Sequence, residues 1–247
     1  MSLTNQRPGD RQKPLKAIGI LAVCLVFGSL LALWFATRSP PVAAPEVPEV
    51  IDLEGTRANA ERGDAEAQNK LGSICAKGQG VKQSYAEAAK WYRQAADQGN
   101  AGAQTALGEL YEAGQGVPCD EAKAAQWYRR AAEQGHVAGQ YSLAVLYVMG
   151  KGVPRDIAEA VKWYRQAADH GSALAQYNLG MRYKEGDGVT QDGVEAYKWL
   201  RLAAAQGLPD AAKARDELKR SMTREQIAEG QRRADAFAAR TPVVPAH

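Results

Sequence analysis

Five glycines, Gly63, Gly99, Gly135, Gly171 and Gly207, stand 36 residues apart. Trp91, Trp127, Trp163 and Trp199 keep the same spacing, and so do Leu71, Leu107, Leu143 and Leu179. A period of this length constrains the fold more than composition can. Each unit is one supersecondary element that buries its apolar side only against its neighbours, which is the logic of a solenoid. The loop Gly-x-Gly-Val recurs in register at residues 78–81, 114–117, 150–153 and 186–189. With Gly72, Gly108 and Gly180, which follow three of the leucines, sixteen of the 24 glycines fall in such columns, so their placement is architectural.

Each unit reads as two helices. The first is expected to start after Asp64, Asn100, His136 or Ser172, three of which are good N-caps, and to stop at the first glycine of the loop. Ala67, Leu71 and Ile74 share one face of it at spacings of four and three. The second starts after Ser84, Asp120, Asp156 or Asp192; Ser84 with Glu87, Asp156 with Glu159 and Asp192 with Glu195 have capping-box spacing. Ala88, Trp91 and Ala95 are placed on its inner face. All eleven prolines fall outside these helices, as the missing amide requires.

The pattern A-x-x-x-L-G-x-x-Y, then G-x-G-V, then A-x-x-W-Y-x-x-A-A-x-x-G is carried by Ala103, Leu107, Gly108 and Tyr111, and by Ala124, Trp127, Tyr128, Ala131, Ala132 and Gly135. It resembles the Sel-one-like repeat family, relatives of the tetratricopeptide repeat. The resemblance covers residues 64 to 207. Cys75 departs from the tyrosine of Tyr111, Tyr147 and Tyr183, Ala144 from the glycine, and Leu200 from the second aromatic. The resemblance implies an all-α, right-handed α/α solenoid and a role in protein–protein interaction, often in bacterial envelope signalling or assembly.

The expected organisation is four units, 64–99, 100–135, 136–171 and 172–207, between capping helices at 50–63 and 208–240, with a loose tail at 241–247. In the last helix Thr223 with Gln226 reads as a capping box, and Ile227, Ala234 and Phe237 can share a face.

Ahead of the array, Ala17 to Thr37 is 21 residues without a charge. As a helix it would span about 31 Å, a bilayer's hydrocarbon core. Arg7, Arg11, Lys13 and Lys16 precede it, while Glu46, Glu49, Asp52 and Glu54 follow. The positive-inside rule then places residues 1–16 in the cytoplasm, 17–37 across a bacterial inner membrane and the repeats in the periplasm. A cleaved signal peptide fits less well, because the apolar run is too long and Pro45 follows the best small-residue site. The proline-rich stretch 38–49 reads as an extended stalk. Within the apolar segment Cys24, Gly28, Ala32 and Ala36 draw a stripe of small side chains, the type that lets two helices pair and would make a homodimer.

A net charge of +3, from 31 basic and 28 acidic residues, gives no excess to drive nucleic-acid binding. Three histidines and three cysteines, scattered, offer no metal or CxxC spacing, and no cofactor is implied. No nucleophile, base and orienter set stands out, so no enzyme is read here. Cys75 and Cys119 lie in adjacent units near the loop end, where a bridge is geometrically conceivable.

Arg93, Arg129, Arg165 and Arg201 form a ladder, the first three followed at i+4 by Asp97, Glu133 and Asp169 as expected intrahelical partners. On the first helices, where tetratricopeptide relatives line their concave groove, Tyr141, Val145, Val148, Tyr177 and Met181 replace the polar Asn69, Ser73, Thr105, Glu109 and Glu112 of earlier units. An apolar half beside a polar half suggests a surface for a protein or peptide partner. The bland alternative packs those side chains against the next unit. Two further readings were a cell-wall or carbohydrate binding module, for which Tyr141 and Tyr177 give thin support, and an envelope hydrolase.

Overall fold

The computed structural model describes residues 52–240, which form eleven α-helices and no strand. The proposed cytoplasmic tail, the membrane helix 17–37 with Cys24, Gly28, Ala32 and Ala36, the stalk and the tail 241–247 lie outside the described residues. Among the described residues no helix is long and apolar enough to cross a membrane.

Helix α1 (Leu53–Glu61) precedes four helix pairs: α2 (Ala65–Lys77) with α3 (Tyr85–Asp97), α4 (Ala101–Ala113) with α5 (Glu121–Glu133), α6 (Val137–Met149) with α7 (Ile157–Asp169), and α8 (Ala173–Glu185) with α9 (Gly193–Ala205). Helices α10 (Pro209–Lys219) and α11 (Arg224–Arg240) follow. Each helix of a pair packs on its partner, and each second helix packs on the first helix of the next pair, which is an α/α solenoid. Helix α11 turns back to lie on α9 and ends the array. Its start is capped as the sequence implied, Thr223 and Gln226 exchanging backbone bonds at 2.9 and 3.2 Å.

Local chemistry sets the boundaries. Asp64, Asn100 and Ser172 cap α2, α4 and α8 through their side-chain oxygens, and Ser84, Asp120, Asp156 and Asp192 cap the second helices. Each first helix stops at a left-handed glycine, with φ of 65 to 71° from Gly78 to Gly186. The second glycine of the loop is required for another reason: a Cβ at Gly116 would lie 2.3 Å from the carbonyl carbon of Tyr85, and one at Gly152 2.0 Å from the Glu121 oxygen. The loop of one unit therefore rests on the start of the preceding unit's second helix.

Leu71, Leu107, Leu143 and Leu179 are at most 1% exposed, as their column implied. The tryptophan column is less uniform than expected. Trp199 and Trp127 are buried, but Trp91 and Trp163 are only half-buried. The core position is the next one, Tyr92, Tyr128, Tyr164 and Leu200, all buried. Helix geometry explains the shift, since residues 88, 92, 95 and 96 share a face and residue 91 sits at its edge. Trp199 gains its burial from α11, whose Phe237 ring meets it edge-on at 5.2 Å.

The arginine ladder is also corrected. No ion pair among the described residues joins Arg93 to Asp97, Arg129 to Glu133 or Arg165 to Asp169. Instead Arg93, Arg129 and Arg165 donate to the hydroxyls of Tyr111, Tyr147 and Tyr183, eighteen residues on, with the Arg129 bond at 2.5 Å. Each guanidinium also lies 5.5 to 5.8 Å from that ring's centre. A weakly hydrated guanidinium over a ring face, bonded to a phenol, outweighs a screened surface carboxylate. Each contact fastens one unit to the next. Arg201, without such a tyrosine, reaches Asp235 of α11 at 3.0 Å.

A second inter-unit ladder has no counterpart in the sequence reading. Gln68, Gln104, Gln140 and Gln176 are at most 4% exposed. Each donates to a carbonyl ending the previous second helix, Ala60, Ala96, Ala132 or Ala168, at 3.1 to 3.3 Å. Gln98, Gln134 and Gln206 donate in turn to Gln68, Gln104 and Gln176. In the third unit His170 stands in that place, and Gln140 Oε1 is left without a donor.

Candidate interaction face

The first helices α2, α4, α6 and α8 present one face, along which α2 meets α4 and α4 meets α6. Helices α6 and α8 carry the five residues singled out from sequence. Tyr141, Val145 and Val148 on α6 and Tyr177 and Met181 on α8 are half-buried and rest on the core. These side chains pack inward while a part of each stays open. The Tyr141 ring is tilted against Tyr164, 5.8 Å between centres.

Between the N-terminal ends of α6 and α8 lies an open hollow of about 560 Å³, lined by Gly135, His136, Val137, Ala138, Tyr141, Ser172 and Leu174. Leu174 is 48% exposed at its edge, and Met149, 54% exposed, lies at the far end of α6. Leu174 was missed by sequence reasoning, although its register gave a signal: Glu66, Gly102 and Ala138 precede it at intervals of 36.

His136 caps α6 in a way its residue type did not suggest. The Gly139 amide approaches its Nδ1 at 3.4 Å. Thr105 Oγ1 lies 2.8 Å from the same nitrogen. Burial holds His136 below the usual histidine range.

On α4 the corresponding face is acidic. Glu112 accepts the Tyr128 hydroxyl at 2.9 Å, and Glu109 is one turn away. Burial first, and then the charge of Glu112, raise the Glu109 carboxyl above the ordinary glutamate range. The same two causes, burial and then Glu112, push the Tyr128 phenol up. No ion pair among the described residues involves either glutamate.

Cys75 is buried and Cys119 exposed, and both thiols are free. Among the described residues no group of three or more His, Cys, Asp or Glu side chains converges as a metal site would require.

The Sel1 repeat model matches residues 65–100, 101–136, 137–172 and 173–208, together more than half of the sequence. The chain belongs to the Sel1 repeat family. Among solved structures it is similar to a Sel1 repeat protein from Oxalobacter formigenes, at 32% identity and a TM-score of 0.65, over 76% of this chain and 77% of that one. It is also similar to c5321, a protective antigen of uropathogenic Escherichia coli with an SLR fold, at 27% identity and a TM-score of 0.52. That match covers 79% of this chain and 51% of the antigen. No curated protein matches the chain. Sel1 repeat proteins generally act as protein–protein interaction scaffolds and are typically non-catalytic.

Proposed function

We propose that this Sel1 repeat chain is a membrane-tethered scaffold that holds a peptide segment or partner protein on the face of its first helices. The observation that carries the reading is the apolar hollow between α6 and α8, open to solvent and edged by an exposed leucine. A protein gains little by leaving such a surface uncovered, since apolar area is stabilised by removal from water. The tether and the periplasmic side rest on the sequence alone, on the uncharged run 17–37 and the basic residues before it.

A photo-reactive residue at position 174 tests the face. Crosslinked partners are expected from that position and not from position 94, which is exposed on the second helix α3. Equal adducts from both positions, or none from 174, would reject the face. A periplasm-dependent reporter fused after His247 tests the topology. Reporter activity together with an uncleaved N-terminus is the expected result.

A further inference from the structure

The partner's chemistry can be narrowed, on the reading that the first-helix face is where it binds. Two surfaces meet there. The hollow between α6 and α8 is lined by no acidic, lysine or arginine side chain, and burial disfavours the charged form of His136. One unit back, Glu109 and Glu112 occupy the positions that Val145 and Val148 hold on α6, and no cation among the described residues pairs with either. Their spacing of three residues sets two like charges on one helix face, an unfavourable pair in the free protein. A cation arriving from outside would relieve that repulsion, and a carboxylate partly withdrawn from water attracts it more strongly than a fully solvated one. Among the described residues Arg93 and Arg129 are held by Tyr111 and Tyr147, and Arg182 is paired with Asp187.

We infer that the face takes an extended peptide segment of a partner protein, with a lysine or arginine seated at Glu109 and Glu112 and an apolar side chain in the hollow beside Leu174. Packed helices lie roughly 10 Å apart, so the step from α4 to the gap between α6 and α8 is about 15 Å sideways. In the 36-residue register Glu109 and Glu112 also stand seven and ten residues further along their helix than Leu174, which adds about 10–15 Å along the axis and makes the separation about 20 Å. Extended chain covers that distance in roughly six residues. Charge and apolar surface thus prescribe a spacing as well as a composition. The acidic end steers the approach of the segment, and the hollow slows its departure.

Random dodecapeptides displayed on phage, panned against the full-length chain at low salt, test this. Enriched sequences are expected to share a lysine or arginine about six positions from a large apolar residue. With the best such peptide in fluorescence anisotropy, Glu109→Gln with Glu112→Gln should weaken binding about tenfold, the scale of about 1.4 kcal/mol. The glutamine at 112 keeps an acceptor for Tyr128. Leu174→Ser, at an exposed position, should weaken binding several-fold with the thermal midpoint unchanged. Enriched peptides that lack a basic residue, or that ignore the double glutamine variant while responding to Leu174→Ser, would overturn the inference and leave the binding face standing. No enriched peptide, or peptides indifferent to all three substitutions, would overturn both. A dimer abolished by Leu174→Ser, or a crosslink from position 174 into residues 1–51, would give the face to this chain itself and overturn the inference as well.

Discussion

Helices α4 and α6 are 13-residue elements one period apart that keep four residues in common, all of them buried. Leu107 matches Leu143, Gln104 matches Gln140 and Tyr111 matches Tyr147, each buried and each tied to a neighbouring helix. Towards solvent Glu109 becomes Val145 and Glu112 becomes Val148, while the buried Thr105, in contact with His136, becomes the half-buried Tyr141. The period is therefore maintained by contacts that recur in every unit, whereas Glu109 makes no ion pair among the described residues and Glu112 is held only by the Tyr128 hydroxyl. What differs between like scaffolds is where the proposed partner would be read.

The sharpest way to break this comparison is to truncate the shared column. Leu107→Ala and Leu143→Ala should each cost about 2–5 kcal/mol, since both leucines are fully buried among the same kinds of neighbour. Denaturant unfolding should return nearly equal losses. A difference above about 2 kcal/mol would mean the two units are not equivalent scaffolds.

Gly108 and Ala144 give the next largest effect. A Cβ at Gly108 would stand 2.7 Å from the Tyr128 ring, which is itself 1% exposed and has no room to retreat. Gly108→Ala should therefore destabilise by about 1–3 kcal/mol. In the third unit an alanine already occupies the position and Tyr164 lies against Tyr141, so Ala144→Gly should not stabilise; it should cost about 0.5–1 kcal/mol in backbone entropy. Losses at both positions, one on gaining a methyl group and the other on giving one up, would show that the packing of the two units has diverged.

Much of this architecture was legible in the sequence, because repeat period, caps and loop glycines are local signals that return four times. The tryptophans misled, since their rarity draws attention to a column that helix geometry sets at the edge, one residue before the core position of Tyr92 and Tyr128. The arginines misled in another way. The i+4 rule sees only one helix, whereas the partner of Arg129 is Tyr147 on the next unit, and only packing brings the two together. The face residues Tyr141, Val145, Val148, Tyr177 and Met181 were found because they break the register of polar residues. The hollow and Leu174 depend on how far apart two helix ends stand, which no residue pattern states.

A smaller effect separates the two caps, Asn100 on α4 and His136 on α6. Burial lowers the histidine's pKa, so the folded protein resists a proton that the unfolded chain accepts from about pH 6.5 downward. The stability from the neutral ring is complete above the unfolded value and is lost as pH falls through the folded one. A cap of this kind is worth about 1 kcal/mol, so acid should remove at most that much. Glu109 titrates nearby in the opposite sense, its carboxyl being raised, so the readout is the difference between the wild type and His136→Asn. That difference should grow below pH 6.5 in favour of asparagine. A difference independent of pH would dismiss the ring as a cap.

The smallest effect is expected where the comparison matters most. Glu109→Val gives α4 the residue that α6 carries at the same position, Val145. The carboxylate it removes is opposed by its own burial and by Glu112, and makes no ion pair among the described residues. Its loss should therefore leave stability within about 0.5 kcal/mol, the range for substitutions away from structural contacts. Glu112→Val is the control that keeps this honest as a statement about the face. That change strips the buried Tyr128 hydroxyl of its acceptor and should cost about 1–3 kcal/mol. If Glu109→Val were as costly as Glu112→Val, Glu109 would belong to the scaffold, and the acidic half of the face would have to be understood as part of what holds the second unit together.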